Sequence, residues 1–275
     1  MAVQSMEEQT QFDYETKTWG GHQVDISPAY LGALRLKYCL DDVAEVSGSL
    51  LEVGCGAGGM AKAIARYRPD LSVTGCDISL AAIREARTHT TDVRFELGNT
   101  YELPYRNEAF NAVVMFDVLE HVDDPAKALN EMARVIPSDG LLHLYVPCEG
   151  ALHTIHGALA RIGWMPKEQY GGHIQRFVAR DVVRMLERSG FQIAHERWSG
   201  HLVNQIVDAA YFTALSIRGH NVPTSIEGHI ATAKPSVGVE ALRLAKTAVA
   251  ATSYYESAWF PWLPGLGIHV TGKKI

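Results

Sequence analysis

The chain has 275 residues, 47% of them hydrophobic and 20% charged, which is enough apolar material for one large domain with elaborations. A net charge of -6 leaves no general basic footprint for nucleic acid, whose affinity rests on Lys and Arg neutralising phosphates. Cys39, Cys55, Cys76 and Cys148 are far apart, with two inside apolar strand-and-turn segments, and read as buried thiols of a cytoplasmic protein rather than a disulfide framework.

Met1 to Gln11 is polar and acidic without an apolar core, so no secretory signal is expected there. Residues 1–30 read as a leader or lid, with a Gly20-Gly21 hinge and a Trp19 expected to be buried. A helix follows over Tyr30 to Val46. Leu50, Leu51 and Val53 then form a short apolar strand, and the helical pattern Met60-Ala-Lys-Ala-Ile-Ala-Arg66 resumes after Gly59 and runs to Tyr67. Between them Gly54, Gly56, Gly58 and Gly59 make a strand-to-helix turn. Bare backbone there bends tightly and approaches a ligand closely, in front of a helix N-terminus with unpaired N–H groups.

Ser72 to Asp77 reads as a second strand ending in an acid about 20 residues after the turn, where a carboxylate accepts hydrogen bonds from two ribose hydroxyls. Next come a helix at Leu80 to Thr88, strands at Asp92 to Leu97 and Ala112 to Phe116, a helix after Pro125, and a strand at Leu141 to Val146. Repeated strand-helix units imply an α/β fold with a doubly wound, mostly parallel sheet. Ligands of such sheets bind beyond the strand C-termini, where Glu52, Asp77, Asn99 and Asp117 fall.

After Pro147 the rhythm changes. Ala151 to Arg161 reads as helix, Gly163 to Gly172 as loop, Arg176 to Ser189 as an amphipathic helix stopped by Gly190, and Phe191 to Trp198 as strand. Residues 201–265 form an insert before the last strand, Gly267 to Ile275. The insert carries helices at Leu202 to Ile217 and Val237 to Trp259, with Pro223 and Pro235 bracketing a polar loop. Its aromatics, Tyr211, Phe212, Tyr254, Tyr255, Trp259, Phe260 and Trp262, either roof the cleft for an apolar or aromatic acceptor or pack as an oligomer interface or extra core. Asn204, Gln205 and Asp208 keep the first insert helix from spanning a membrane.

Gly54, Gly56 and Gly59 also satisfy G-x-G-x-x-G, so a nicotinamide dinucleotide is a second reading of the turn. Glu52 weighs against it, because a carboxylate beside the glycines repels a pyrophosphate and suits an ammonium. Four stretches in order, Leu51-Glu-Val-Gly-Cys-Gly-Ala-Gly58, Gly75-Cys-Asp-Ile-Ser79, Phe95-Glu-Leu-Gly-Asn-Thr100 and Phe110-Asn-Ala-Val-Val-Met-Phe-Asp-Val-Leu-Glu-His-Val122, resemble the class I S-adenosylmethionine-dependent methyltransferases. Within that family they are most similar to the small-molecule branch that includes the quinone-biosynthesis enzymes, over residues 45 to 147. The resemblance implies a seven-stranded Rossmann-like sheet with its last strand antiparallel, carried by residues 31–200 and 266–275. It implies S-adenosyl-L-methionine as cofactor and a small-molecule acceptor.

The resemblance further implies that Glu52, Gly54 and Gly56 surround the methionine part, that Asp77 holds the ribose and that Ile78 lies against the adenine. Asn99 then faces the adenine amino group, Thr100 beside it is a further cofactor-binding residue, and the Phe116 carbonyl lies near the methionine amino group. Where the family commonly has Asp, this chain has Asn99, which accepts through its amide oxygen or serves as a turn residue.

Methyl transfer from a sulfonium asks for in-line placement, exclusion of water and, for a hydroxyl or an acidic carbon, a base. His121, directly after the fourth strand, and His173 in the Gly171-Gly-His loop are the candidates, with Tyr170 and His153 behind them; each also reads as a loop-anchoring residue. No H-x-x-x-H, H-E-x-x-H or clustered-carboxylate pattern occurs, and the His153 and His156 pair is incomplete, so no metal is expected. A non-catalytic scaffold of the same fold is the third reading.

Overall fold

The computed structural model describes residues 15, 18–89, 92–218 and 236–275. Met1 to Gln11 and the loop bracketed by Pro223 and Pro235 lie outside the described residues. The chain lays down α1 (Ala33–Asp42), β1 (Gly48–Val53), α2 (Gly59–Tyr67), β2 (Leu71–Asp77), α3 (Leu80–Ala86), β3 (Arg94–Leu97), β4 (Ala112–Phe116), α4 (Pro125–Val135) and β5 (Leu141–Pro147). There follow α5 (Ile155–Ala160), α6 (Pro166–Gly171), α7 (Ala179–Arg188), β6 (Phe191–Ser199), α8 (Leu202–Arg218), α9 (Val237–Trp259) and β7 (Gly267–Lys274).

All seven strands join one sheet in the order β3-β2-β1-β4-β5-β7-β6. Pairing is parallel from β3 through β5, and β7 runs antiparallel between β5 and β6. Successive strand side chains alternate between faces. Leu50 and Leu51 are therefore both fully buried but in different cores, one with Leu36, Ile64 and Ile83, the other with Leu129, Met132 and Leu186. Helices cover both faces, as buried parallel strands require.

The segment expected as loop from Gly163 to Gly172 contains the six-residue helix α6. Pro166 sits in its first turn and Gly172 ends it in the left-handed region, φ 75°. Those are the usual start and stop signals of a helix, but six residues are too few to display a period of their own.

Two features tie the later strands to the rest. Asp42, at the end of α1, is buried and receives His143 Nδ1 at 2.9 Å, Thr271 Oγ1 at 2.6 Å, His195 Nδ1 at 2.8 Å and Arg197. Burial alone would raise its carboxyl, yet His143, Thr271 and Arg197 hold it well below the ordinary carboxylate range. Second, Ser199 pairs with Gly267 in the β6–β7 ladder, and Leu266 N donates to the Gly200 carbonyl at 2.9 Å. The chain between them leaves and re-enters the sheet at one place. Among the described residues no helix is long and apolar enough to cross a membrane.

Candidate active site

At the C-terminal end of β1 the chain turns through left-handed φ values at Gly54 (75°), Gly56 (51°) and Gly58 (81°), conformations that side-chain-bearing residues rarely adopt. A Cβ at Gly54 would strike Val118, and one at Gly56 would strike the Trp19 carbonyl. Gly54 N and Cys55 N both donate to the Cys76 carbonyl, at 2.8 and 3.0 Å, which pins the turn to β2. Asp77 closes the unit: its Oδ2 accepts from Gly56 N at 2.8 Å and its Oδ1 from Ser79 N at 2.9 Å. Burial raises this carboxyl, against the pull of those same N–H groups. Beside it the Ile78 side chain is 59% exposed, open to a flat partner.

The leader lies on this turn. The Trp19 carbonyl accepts from Ala57 N at 2.7 Å and the Gly20 carbonyl from Gly59 N at 2.9 Å, so the leader's backbone supplies partners to the glycine turn and to the first residue of α2. Further back, the Glu15 carboxylate caps α3 through Leu80 N (2.7 Å) and Ala81 N (3.0 Å). Trp19 itself is 40% exposed, against the expectation of burial, because its backbone rather than its ring makes the contact.

Glu52 is 3% exposed, burial pushes its carboxyl well above the ordinary range, and its Oε2 has no hydrogen-bond partner among the described residues. Thr100 Oγ1 is likewise buried without a partner. Buried polar atoms are nearly always satisfied, so these two orphans, one just before the glycine turn and one shortly after β3, fit a bound polar ligand. The donor set suits S-adenosylmethionine: a carboxylate near the glycines, a ribose-type acid at Asp77 and an exposed apolar Ile78. Asn99 Oδ1 accepts from Tyr101 N at 2.9 Å, which is the turn-residue role, and leaves a second lone pair on the oxygen. Phe116 is buried at the end of β4.

The two candidate bases meet although 51 residues separate the loops that carry them. His121 Nδ1 lies 2.9 Å from the Gly172 carbonyl, and its ring meets that of His173 edge-on with centroids 4.8 Å apart. A carbonyl only accepts, so the His121 proton sits on Nδ1. His173 Nδ1 lies 3.0 Å from Glu149 Oε2, which places its proton on Nδ1 as well and leaves the Nε2 lone pair as the basic site. Burial, helped by the charge of His173, pushes His121 down to about 4. For His173 burial acts downward too, but the hydrogen bond and charge of Glu149 win and raise it above the ordinary imidazole value. Buried Glu120 is pushed up to about 8. It lies with His121 and His173 in a group whose donor atoms are all within 4.8 Å of one another, a convergence that chain spacing did not reveal.

Around this pair sits a layer that sequence reasoning missed. Glu149 Oε1 is 2.7 Å from Lys167 Nζ, which is also 2.6 Å from Asp208 Oδ2 of the insert helix α8. Arg35 Nη1 pairs with Asp117 Oδ2 at 2.5 Å and lies over the Tyr145 ring at 4.0 Å. Of these residues only Asp117 falls in a stretch the sequence singled out. Their partners come from other elements, and only the absence of a solvated role for a carboxylate after β5 hints at Glu149.

The remaining candidates part company. His153 faces the Gly265 carbonyl at 3.4 Å and His156 faces Asp208 at 3.4 Å, so the pair does not converge. The side chain of Tyr170 lies outside the described residues. Of the insert aromatics, Tyr254 lines a pocket with Tyr30, Arg35, Tyr145 and Asn204, and Phe212 packs over Lys167 at 5.4 Å. Trp259 and Trp262 are 68% and 71% exposed.

A family model described as methyltransferase domain matches residues 28–196. The ubiquinone biosynthesis O-methyltransferase of Alkalilimnicola ehrlichii is 34% identical over 140 residues, covering 48% of this chain and 56% of that protein, so the chain spans little more than half of that relative's length. The Neisseria meningitidis serogroup C enzyme of the same name is 28% identical over 193 residues, 66% of this chain and 77% of its own. The geranyl diphosphate C-methyltransferase of Streptomyces coelicolor, solved with Mg2+, geranyl diphosphate and S-adenosyl-L-homocysteine, has the same fold, with TM-score 0.56 and 12% identity over 88% of this chain and 79% of that one. The family match falls on the glycine turn, Asp77 and the His121 segment, and selects the sulfonium cofactor over the dinucleotide reading of the same glycines. On that match and this sheet, the chain belongs to the S-adenosylmethionine-dependent methyltransferases.

Proposed function

We propose that the protein O-methylates a small apolar or aromatic acceptor bearing an ionisable hydroxyl, such as a phenol or quinol, with His173 as general base. The observation that carries this reading is the His173 Nδ1 to Glu149 Oε2 contact at 3.0 Å, which leaves Nε2 as the proton-accepting atom of the imidazole. Two relatives named ubiquinone biosynthesis O-methyltransferase favour an oxygen on a ring of that kind. S-adenosylmethionine supplies an electrophilic methyl on its sulfonium. The chain holds it through Glu52, Gly54 and Gly56 at the methionine part, Asp77 at the ribose, and Ile78, Asn99 and Thr100 around the adenine, with the Phe116 carbonyl near the amino group.

His173 Nε2 takes the hydroxyl proton and makes the acceptor oxygen a better nucleophile, a contribution of roughly 10²- to 10⁴-fold. His121, kept neutral by burial, fixes the loop through Gly172 and presents its ring to His173. Tyr254 and Asn204 bring the insert to the pocket beside Arg35, which suits a role in acceptor binding. The same reading places the enzyme in the cytoplasm, acting on free small molecules and not on nucleic acid. Trp259 and Trp262, exposed on the insert, support a contact between copies as its second role.

The test is release of S-adenosylhomocysteine with phenols, catechols and quinols, against their methyl ethers and matched amines, each with chelator and with added Mg2+. Turnover confined to free hydroxyls supports the reading. A rate that demands the cation and persists in His173→Gln overturns it.

A further inference from the structure

The buried ion pairs behind His173 run to an element that takes no part in the cofactor site. Glu149 is 4% exposed, and each of its oxygens has a basic neighbour: His173 Nδ1 at 3.0 Å on Oε2 and Lys167 Nζ at 2.7 Å on Oε1. Lys167 is 9% exposed and reaches across to Asp208 of α8 at 2.6 Å. Its ammonium also lies 5.4 Å from the Phe212 ring, one turn further along the same helix. Glu120, His121 and His156 are the other titratable groups gathered around His173 and Lys167.

A lysine taken this far out of water costs several kcal/mol unless its partners hold it closely. Two carboxylates from different parts of the chain do so, and the arrangement is over-determined for a purely local purpose. Glu149 alone would neutralise Lys167. Asp208 adds a second anchor that exists only when α8 is docked on α6. The backbone repeats the link, since Ile155 N, next to the cluster, donates to Gln205 Oε1 of α8 at 2.8 Å.

We propose, building on His173 as the base, that Glu149, Lys167 and Asp208 are positioning residues through which docking of the insert helix α8 sets the orientation of His173. Glu149 holds the imidazole's Nδ1–H and aims Nε2 at the cleft. Lys167 holds Glu149 in that rotamer, and Asp208 holds Lys167. The helix that carries acceptor-pocket residue Asn204 thus also sets the base, so acceptor binding against the insert and proton removal are joined through four side chains.

Steady-state kinetics on the full chain test this with Glu149→Gln, Asp208→Asn, Lys167→Arg and His173→Gln, alone and combined, alongside S-adenosylmethionine affinity and melting temperature. Expected are a drop in kcat of roughly 10- to 100-fold for Glu149→Gln, by analogy with residues that orient a ligating histidine from behind, and a smaller one for Asp208→Asn, with cofactor affinity unchanged. Lys167→Arg, which keeps a cation between the two carboxylates, retains most of kcat. In the His173→Gln background, Glu149→Gln and Asp208→Asn cost nothing more, because the group they position is gone.

Additive losses in that background, or wild-type kcat in both Glu149→Gln and Asp208→Asn, overturn the positioning role while leaving the base intact. Wild-type kcat in His173→Gln alone would instead remove the base reading itself. If Glu149→Gln lowers the melting temperature below the assay range, the partly exposed Asp208→Asn decides through the same combination with His173→Gln.

Discussion

The Asp77 carboxylate accepts the Gly56 amide at 2.8 Å, so the acid at the end of β2 and the apex of the glycine turn are one hydrogen-bonded unit. A ligand that reaches the ribose-type acid finds the turn already shaped, since the other oxygen of Asp77 is held by Ser79 N at 2.9 Å. Removing the carboxylate therefore removes the proposed ribose partner and the brace of the turn together. Asp77→Ala is expected to weaken S-adenosylmethionine binding at least 10-fold by calorimetry, the scale of a lost charged hydrogen bond, about 1.5–3 kcal/mol. Unchanged affinity would remove Asp77 from the cofactor site.

Gly56 sits at φ 51° with the Trp19 carbonyl where a Cβ would go. Gly56→Ala should push the leader off the turn and break the contacts to Ala57 N and Gly59 N. The expected readouts are faster proteolytic cleavage ahead of His22 and weaker cofactor binding, with the melting temperature lowered by only a few degrees. Cleavage at the wild-type rate would show that the leader tolerates the side chain.

His173→Gln should lower kcat by roughly 10²- to 10⁴-fold with little change in cofactor affinity. His121→Ala should cost less, because burial already depresses that imidazole to about 4 and its part is to hold the loop. The pH profile carries the sign. A base must be neutral, and His173 is raised above its ordinary 6.5, so kcat/KM should climb as pH rises through a value above 6.5 and level off beyond it. A limb below 6, or one retained in His173→Gln, would point to another group.

Asp42 gathers His143, Thr271, His195 and Arg197 from three strands onto one helix end. Asp42→Ala leaves His143 without its buried partner and Arg197 with only Asp41, at 3.7 Å, and is expected to cost about 3–5 kcal/mol, read as a lower midpoint in urea unfolding. The carboxyl is depressed in the fold, so its contribution is complete above the ordinary carboxylate value and is lost as pH falls through that value toward the folded one. Wild type should destabilise more steeply in acid than the variant. Parallel curves would mean that Asp42 titrates alike folded and unfolded.

Residues that act through chain-local geometry were legible in the sequence. Glu52 to Gly59 and Asp77 declare themselves by a strand, a run of glycines and a spacing, and the insert helix Val237–Trp259 by its period. Glu149, Lys167, Asp208 and Arg35 were not legible, because each takes its meaning from a partner on another element: Lys167 and Asp208 meet only through the packing of α6 on α8. Aromatic periodicity in the insert likewise marked a face and not what covers it. Tyr254 turned to the pocket, whereas Trp259 and Trp262 lie open to water. The helix at Pro166–Gly171 was missed for its brevity.

The hydrogen bond from Leu266 N to the Gly200 carbonyl joins the two feet of the insert where β6 and β7 are already zipped at Ser199 and Gly267. A segment whose feet touch can be lengthened, shortened or exchanged by recombination without rethreading the sheet. On the proposed reading of the insert as acceptor-binding, it is a cassette whose transfer between relatives is expected to bring new methylation targets, provided that the donor brings its own Asp208.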